Sequence, residues 1–308
     1  MNKIKLAVIA GPTASGKTKM AVEVAQDVKA DIVSADSMLV YRGMDIGTAK
    51  PSLKQRKLVK HHIIDVASPR QDYSVSDYTT DALEAITKIR RANKNFLVCG
   101  GTGFYINALI NGNFKAPKSD PKVRENLEQR LKKGETLFDL HKELTKIDPE
   151  TALRVHENDS YRVLRALEVY YGTGKTMTYY RTEHKDNNNA NFEPFIVILN
   201  PTREELYERI QYRTNNMFKY GLIEETQELL REGFGPQLKP MKSIGYLQAV
   251  QIIQGRINIS EAKDDINKQT MALAKRQITW FRKQPHAKWF PSDRIEDAKK
   301  EIKAFICS

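Results

Sequence analysis

Residues Gly11-Pro12-Thr13-Ala14-Ser15-Gly16-Lys17-Thr18 spell G-x-x-x-x-G-K-[ST], and no other stretch of the chain restricts the fold so tightly. The apolar run from Ile4 to Ala10 reads as a buried strand entering this loop. Lys17 to Val28 reads as a helix leaving it, with Met20, Val24 and Val28 on one face. The glycines allow a tight backbone turn, so that consecutive N–H groups and the helix N-terminus can surround a phosphate. Lys17 adds a full positive charge, and the Thr18 hydroxyl is placed to hold Mg²⁺. A protein that binds a di- or triphosphate is predicted. What is done with the phosphate has to come from the remaining residues.

The chain around this loop alternates. Asp31 to Ala35 is a short strand that delivers Asp36, Ser37, Met38 and Tyr41 to the edge where strand ends meet the loop, the usual ligand edge of an open parallel sheet. Gly43 to Lys50, closed by Pro51, is a loop, and Ser52 to Lys60 a basic helix. His61 to Val66 reads as another strand, Ser76 to Ala92 as an amphipathic helix, and Asn95 to Cys99 as a buried strand ending in Gly100-Gly101-Thr102-Gly103. This succession predicts an α/β fold, a P-loop NTPase-like doubly wound parallel sheet.

From Asn113 the pattern turns helical, with no strand expected before Phe195. Pro121 to Lys133, Leu137 to Leu144 and Ser160 to Tyr171 read as helices, and the polar tract Thr182 to Asn191 as a mobile segment. Residues 113–192 are therefore expected to form a helical insertion in a discontinuous core of residues 1–112 and 193–308. Phe195 to Leu199 returns to the sheet. It is followed by a helix from Arg203 carrying Arg209 and Arg213 four residues apart, by helices over Gly221 to Arg231 and Ser243 to Gly255, and by a long one capped by Ser260 and running to about Arg282. Lys288 to Phe290 is a candidate last strand before a terminal helix from Arg294.

Charge narrows the choice of partner. The 308 residues carry a formal net charge of +12, more than the pocket of a small anionic metabolite requires. Between Ile266 and Pro291 there is no acidic residue, while Lys268, Lys275 and Arg282 recur every seven residues on one helical face, with Arg276, Lys283 and Lys288 nearby and Trp280 and Phe281 interleaved. That pattern favours contact with a nucleic-acid backbone over an ordinary solvated helix. No apolar run reaches membrane-spanning length, and Met1 to Ala10 reads as a strand and not as a signal peptide, so a cytoplasmic protein with no membrane partner is expected. Cys99 and Cys307 lack disulfide-framework or zinc-site spacing.

The strong strand ends in Cys99-Gly100-Gly101, where nucleotide-hydrolysing relatives of this loop usually carry a Mg²⁺-supporting Asp. Asp65 is the only similar candidate, so ATP hydrolysis is poorly supported. Asp36 sits across from the phosphates, where it could take a proton from a nucleophile; taken alone it reads sooner as a turn or helix-cap carboxylate, and its neighbours decide.

The run Ser34-Ala35-Asp36-Ser37, the stretch Tyr41-Arg42-Gly43-Met44-Asp45-Ile46-Gly47-Thr48-Ala49-Lys50-Pro51, His61-His62-Ile63-Ile64-Asp65 and Gly100-Gly101-Thr102-Gly103-Phe104-Tyr105 resemble successive motifs of the bacterial tRNA dimethylallyltransferases. So do Asn158 to Glu168, Ser243-Ile244-Gly245-Tyr246 and Ala274 to Arg282. The similarity covers nearly the whole chain, and the cysteines for the zinc-finger tail of eukaryotic relatives are missing. The resemblance implies transfer of a dimethylallyl group from dimethylallyl diphosphate to the exocyclic amine of the adenine on the 3′ side of the anticodon, with release of diphosphate.

Under that resemblance Asp36 is the general base. Lys17, Thr13 and Mg²⁺ held through Thr18 neutralise the leaving diphosphate in the cradle Gly11 to Thr18, and Arg213 is a second clamp with Arg209 as fallback. The tRNA anticodon stem-loop is expected against Asp36, Ser37, Met38, Leu39, Thr102, Tyr161, Arg162, Val163, Leu164, Arg165, Lys242, Ser243, Ile244, Gly245, Tyr246, Leu247, Lys275, Arg276, Gln277, Ile278, Thr279, Trp280, Phe281 and Arg282, with Arg124 a further member. The target base must be turned out of its stack, gripped between insertion and closing helix above a channel for the donor, by a protein expected to act as a monomer. The alternatives are a small-metabolite kinase, an adenylate isopentenyltransferase using free nucleotide, and a nucleic-acid-binding ATPase without transfer chemistry.

Overall fold

The computed structural model describes residues 3–112, 117, 120–185, 192–285 and 287–308. The chain divides into two compact units, one of Met1–Ile110 with Ala190–Ser308 and one of Asn111–Asn189.

The first unit is built on six parallel strands, β1 (Ile4–Ala10), β2 (Ala30–Ser34), β3 (His61–His62), β4 (Asn95–Gly100), β5 (Phe192–Leu199) and β6 (Ala287–Phe290), in the order β3-β2-β4-β1-β5-β6. Its helices in the first part of the chain are α1 (Lys17–Asp27), α2 (Leu53–Leu58), α3 (Val75–Arg91) and α4 (Gly103–Asn111). The second unit holds α5 (Pro121–Lys132), α6 (Leu137–Ile147), α7 (Pro149–Arg154), α8 (Ser160–Thr173) and α9 (Met177–Lys185). The first unit then resumes with α10 (Arg203–Lys219), α11 (Leu222–Arg231), α12 (Tyr246–Ile253), α13 (Ile259–Phe281) and α14 (Ile295–Cys307).

Strands covered on both faces read as unbroken apolar runs, and their alternate residues feed two cores. Leu6, Val8, Val98 and Ile196 pack with Tyr78, Ala82 and Ile86 of α3. Ala7, Ile9, Leu97 and Val197 pack with Met20 and Val24 of α1 and with Ala298 and Ile302 of α14. Because β4 lies between β1 and β2, the chain leaves β1 on one side of the sheet and β5 joins on the other. The loop after β1 therefore opens at a topological switch point. The second unit has its own core, Leu127, Leu140, Leu144, Val163, Leu164 and Leu167, and Asp148 is buried in it as the cap of α7 and the acceptor of Thr178.

Several local expectations are corrected. The strand expected over His61 to Val66 stops after His62, since Ile63 and Asp65 adopt positive φ (61° and 60°), which ends sheet pairing. β5 begins at Phe192, three residues early, because Phe192 and Glu193 pair with Ile4 and Lys5 of β1. The cap of α13 is Asn258, whose side chain accepts from Glu261 N while Glu261 accepts from Asn258 N, leaving Ser260 inside the first turn. Helices α4, α7 and α9 were not expected. Thr182 to Lys185, read as part of a mobile tract, closes α9, and the remainder of that tract, residues 186–191, lies outside the described residues.

The loop between β2 and α2 is fixed from several sides. Glu225 of α11 accepts from the backbone N–H groups of Asp45, Ile46 and Gly47 and from the Tyr246 hydroxyl. Lys50, with a side chain 1% exposed, bridges Asp45 and Asp65. Gly47 lies flat against the fully buried Tyr246, where a Cβ would sit 2.4 Å from the ring. Gly47→Ala is expected to destabilise the protein by about 1 to 3 kcal/mol through overpacking, read as a lower urea midpoint at unchanged m-value.

Candidate active site

The loop between β1 and α1 turns through three residues at positive φ, Gly11 (151°), Ala14 (62°) and Gly16 (90°). At Gly11 a Cβ would stand 2.7 Å from the Leu199 carbonyl oxygen, so the close approach of β5 as well as the backbone angle requires glycine. Gly16 serves as the left-handed N-cap of α1 and makes no side-chain cap bond, and no acidic residue stands in the first turn, so the cap leaves the first-turn N–H groups to a ligand.

Later elements brace this loop. Arg213 of α10 donates to Thr13 Oγ1 (2.8 Å) through one guanidinium nitrogen and to the Thr48 carbonyl (3.2 Å) through another. Gln277 of α13 accepts from Thr13 N (2.8 Å) and donates to the Gly101 carbonyl (2.9 Å). Lys17 Nζ reaches back to the Pro12 carbonyl (3.2 Å). Arg209, one turn before Arg213, donates to the Ser15 carbonyl and to Ser292 and pairs with Glu205.

A cleft opens beside the loop. Its cationic and hydroxyl lining comprises Lys17, Arg213, Thr13, Thr18, Ser34 and Thr48; its apolar lining includes Ile32, Leu39, Pro51 and Ile64; Asp36 is the one acidic residue among those that line it. Burial lowers the Lys17 ammonium below the ordinary lysine value, against the opposing pull of Asp36, and does the same to the Arg213 guanidinium. Arg213 Nε, Ser34 Oγ and Ser15 Oγ are buried without a hydrogen-bond partner. Two of these line the cleft, so the cleft is under-satisfied toward anions and acceptors. Burial pushes the Cys99 thiol up to about 12, so this lining cysteine stays protonated at neutral pH.

Asp36 stands two residues beyond β2 in the lining of the cleft, and its Oδ1 accepts from Met38 N (2.9 Å). Ser37 N donates to Thr102 Oγ1 (2.9 Å), joining the strand ends of β2 and β4. Gly103 abuts Trp280, with 2.2 Å from a would-be Cβ to the indole, and Gly101 abuts Gln277 at 2.5 Å. The glycine run after β4 is therefore a seat for α13.

Asp65, the alternative strand-end acid, is engaged by Lys50 and Arg56; burial pushes its carboxyl up, but these two cations bring it below the usual range, and it does not line the cleft. Among the described residues no group of three or more His, Cys, Asp or Glu could hold a metal. A hard cation here would rest on the Thr18 hydroxyl and on oxygens brought by the ligand and water, as suits Mg²⁺ bound together with a phosphate.

The expected nucleic-acid contacts divide by exposure. On α13, Lys268, Lys275, Arg276 and Arg282 are exposed, and none makes an ion pair among the described residues. Thr279 is exposed and Trp280 and Ile278 are half-buried, whereas Phe281 is buried in the core. Lys242 is exposed, Ser243 Oγ turns to the Pro240 carbonyl, Ile244 and Leu247 are half-buried, and Gly245 and Tyr246 are buried. In the second unit Tyr161 is 68% exposed with Arg124 over its ring, Arg162 is exposed and paired with Asp159, and Arg165 turns inward to Glu168 and the Pro117 carbonyl. Val163, Leu164, Tyr246 and Phe281 are thus corrected to core residues, because at about 100° per residue side chains one or two positions apart on a helix point to different faces.

Sequence reasoning missed Thr48 as a support for Arg213, Glu225 as the latch of the loop before it, and the inward role of Gln277. The density of motif residues in Tyr41 to Pro51 was the available signal for the first two.

Fold and cleft together define a P-loop-like α/β protein with a doubly wound parallel sheet, its glycine-rich loop at the switch point and a helical unit inserted before β5. Relatives of known class have the same plan. The family model described as IPP transferase matches residues 39–284. The tRNA dimethylallyltransferase 2 of Geotalea daltonii is 44% identical over 289 residues, 93% of this chain and 87% of that one. The tRNA dimethylallyltransferase of Pelotomaculum thermopropionicum is 42% identical over 298 residues, 96% and 94% of the two chains. Among solved structures, the full-length tRNA isopentenylpyrophosphate transferase of Bacillus halodurans is 34% identical with a TM-score of 0.70, covering 99% of this chain and 97% of that one. A eukaryotic dimethylallyltransferase captured acting on tRNA has a TM-score of 0.79 at 25% identity, covering 98% of this chain and 77% of that one. The chain belongs to the IPP transferase family.

Arg213 and Arg209 make different predictions. Arg213→Ala is expected to weaken inorganic pyrophosphate binding about tenfold or more, the loss of a charge-assisted contact. Arg209→Ala, which removes only a loop brace, is expected to change it by a few-fold. Titration calorimetry with pyrophosphate separates the two.

Proposed function

We propose that this protein transfers a dimethylallyl group from dimethylallyl diphosphate to the exocyclic amine of the adenine 3′-adjacent to the anticodon in tRNA, releasing diphosphate. The observation that carries the reading is the composition of one cleft: paired cations and hydroxyls at the phosphate loop, an apolar lining of Ile32, Leu39, Pro51 and Ile64, and Asp36 as its one carboxylate. A terminal phosphoryl group in transit needs no apolar lining. An allylic diphosphate needs both parts.

In this reading the adenine N6 attacks C1 of the donor as the C1–O bond to diphosphate breaks. Asp36 accepts the N6 proton, so the product amine is neutral, and the bond's electron pair leaves with the diphosphate. Lys17, Arg213 and Thr13 stabilise the charge gathering on that leaving group from fixed positions. Thr18 would hold Mg²⁺, and the ion, when bound, would supply further neutralisation of the diphosphate charge. The base must be unstacked to reach Asp36, and alignment of N6 with C1 lowers the barrier of a poor nucleophile.

Support for the polynucleotide comes from charge. The exposed Lys268, Lys275 and Arg276 on the acid-free part of α13 and Arg282 at its C-cap are left without ion-pair partners among the described residues, the condition for phosphate contact. Exposed Tyr161 and Arg162 of the second unit are further candidates, with Leu39 in the cleft lining, Ser37 and Met38 beside it in the chain and Thr102 bonded to Ser37. No helix among the described residues is long and apolar enough to cross a membrane. We place the reaction in the cytoplasm, where tRNA is found, and expect a monomer to suffice.

The deciding experiment incubates the protein with total tRNA and labelled donor and maps the modified nucleotide by mass analysis; one adenine gaining a five-carbon unit is expected. Stoichiometric ATP consumption with the donor untouched overturns the proposal. Asp36→Ala should lower turnover about 10² to 10⁴-fold with tRNA affinity within a few-fold, measured by single-turnover kinetics and filter binding. Lys275→Ala should weaken tRNA binding and reduce the slope of log affinity against log salt by about one, leaving pyrophosphate affinity unchanged.

A further inference from the structure

Gln277 falls within the stretch of α13 whose neighbours Lys275, Arg276 and Thr279 are exposed, yet its side chain points the other way. Both ends of its amide are used: Oε1 accepts from Thr13 N at 2.8 Å, and Nε2 donates to the Gly101 carbonyl at 2.9 Å. Thr13 belongs to the phosphate loop, and Gly101 follows the end of β4. One side chain therefore ties together three segments that are far apart in sequence.

The contact is built in rather than incidental. At Gly101 a Cβ would lie 2.5 Å from Gln277 Nε2, so the amide occupies the space that only glycine leaves open. Thr13 is held from its other side by Arg213, whose Nη1 donates to Thr13 Oγ1, and the helices that carry the two braces are joined by Thr214 Oγ1 donating to Asn267 (2.7 Å). Thr13 is thus fixed by its N–H and by its hydroxyl. Its N–H is taken up by Gln277, so the anchor fixes one end of the loop backbone whose other N–H groups remain for the anion.

We infer that Gln277 is a positioning residue for the diphosphate cradle and not a contact to tRNA: it holds the phosphate loop in its anion-binding shape through Thr13 and Gly101. The inference rests on the reading of the loop as a diphosphate site. Gln277→Ala leaves the Thr13 N–H and the Gly101 carbonyl without their partner, and the loop relaxes before the anion arrives. Gly101→Ala reaches the same end by another route, since its new methyl group displaces the amide without altering Gln277 itself.

Pyrophosphate affinity is measured by calorimetry on the full chain and tRNA affinity by filter binding, for wild type, Gln277→Ala, Gly101→Ala and the double variant, after thermal melts confirm that each is folded. Each single variant is expected to lose about tenfold in pyrophosphate affinity, the scale of one or two hydrogen bonds, with tRNA affinity within about twofold. The double variant should lose no more than either single one, because removing the Gln277 side chain also clears the space that the Gly101→Ala methyl needs. Kinetically, KM for the donor should rise at unchanged KM for tRNA. Variants that bind pyrophosphate as wild type does overturn the inference. So do losses confined to tRNA affinity, and so do additive losses in the double variant. If wild type itself fails to bind pyrophosphate, the reading of the cradle falls and this inference with it. Should Gln277→Ala fail to fold, Gly101→Ala alone decides between a tenfold loss and none.

Discussion

A phosphate loop cannot hold its shape unaided, and the rest of the first unit is arranged around that fact. Three positive-φ residues within six positions, one of them Ala14, put the backbone where ordinary residues are uncomfortable; a left-handed non-glycine residue alone costs about 1 to 2 kcal/mol. The bracing comes from far along the chain. Arg209 and Arg213 lie on α10 and Gln277 on α13, all C-terminal to the inserted unit. The cradle is a tertiary object: the first residues of the chain supply its backbone, and the last third supplies its frame. Through Thr48 the frame extends to the loop over Tyr41 to Pro51, which Glu225, Tyr246 and Lys50 lock in turn.

This frame keeps two cations, Lys17 and Arg213, in a cleft whose lining offers them one carboxylate. Buried charge without full compensation is costly, and burial lowering both of their proton affinities is the same cost seen from the titration side. The fold tolerates it because the braces leave the two side chains no better place to go. A ligand with several anionic oxygens would relieve the imbalance, and groups already aimed need no reorganisation when charge develops on that ligand during reaction. Stability is thus lower at the site than the surrounding core could have made it, and the deficit is what an incoming diphosphate would make good.

How much of this was legible in the sequence depended on whether the signal was local. The strand, loop and helix over Ile4 to Asp27 were readable because the motif prescribes its own context, and β4 and β5 because buried parallel strands need long apolar runs. β3 was not: Ile63 and Ile64 continue an apolar pattern, and nothing in residue type announces that Ile63 and Asp65 turn left-handed. Asn258 and Ser260 are both good caps, and the reciprocal bond with Glu261 decided between them. Motif stretches on helices misled in a regular way. A run such as Tyr161 to Arg165 or Lys275 to Arg282 resembles a family as a block, but a helix divides any block between two faces. Val163, Leu164 and Phe281 went to the core while Tyr161, Lys275 and Arg282 stayed outside. Arg209 and Arg213, by contrast, share a face of α10 one turn apart, and that step along the axis puts Arg213 in the cleft and Arg209 on the loop beside it.

The missing acid at the end of β4 has a physical reason that bears on the type of chemistry. A P-loop enzyme that moves a phosphoryl group commonly sets a carboxylate near the end of a neighbouring strand to support the metal. Here that position is Gly100, and a Cβ on it would stand 2.1 Å from the Ala35 carbonyl oxygen, a backbone atom fixed in the β2–β4 ladder by the bond from Thr102 N and by that from Ala35 N to Cys99 O. No side chain fits there, least of all an aspartate. The close approach of the two strand ends instead brings Asp36, the residue after Ala35, to the cleft, and joins it to Thr102 through Ser37. The backbone spacing that excludes a carboxylate from β4 is therefore the spacing that presents one from the chain leaving β2. In the proposed transfer reaction a carboxylate at this strand end would receive the proton of the nucleophile, and the exchange of one strand end for the other would turn a phosphate-binding scaffold toward chemistry at the carbon beyond the phosphate.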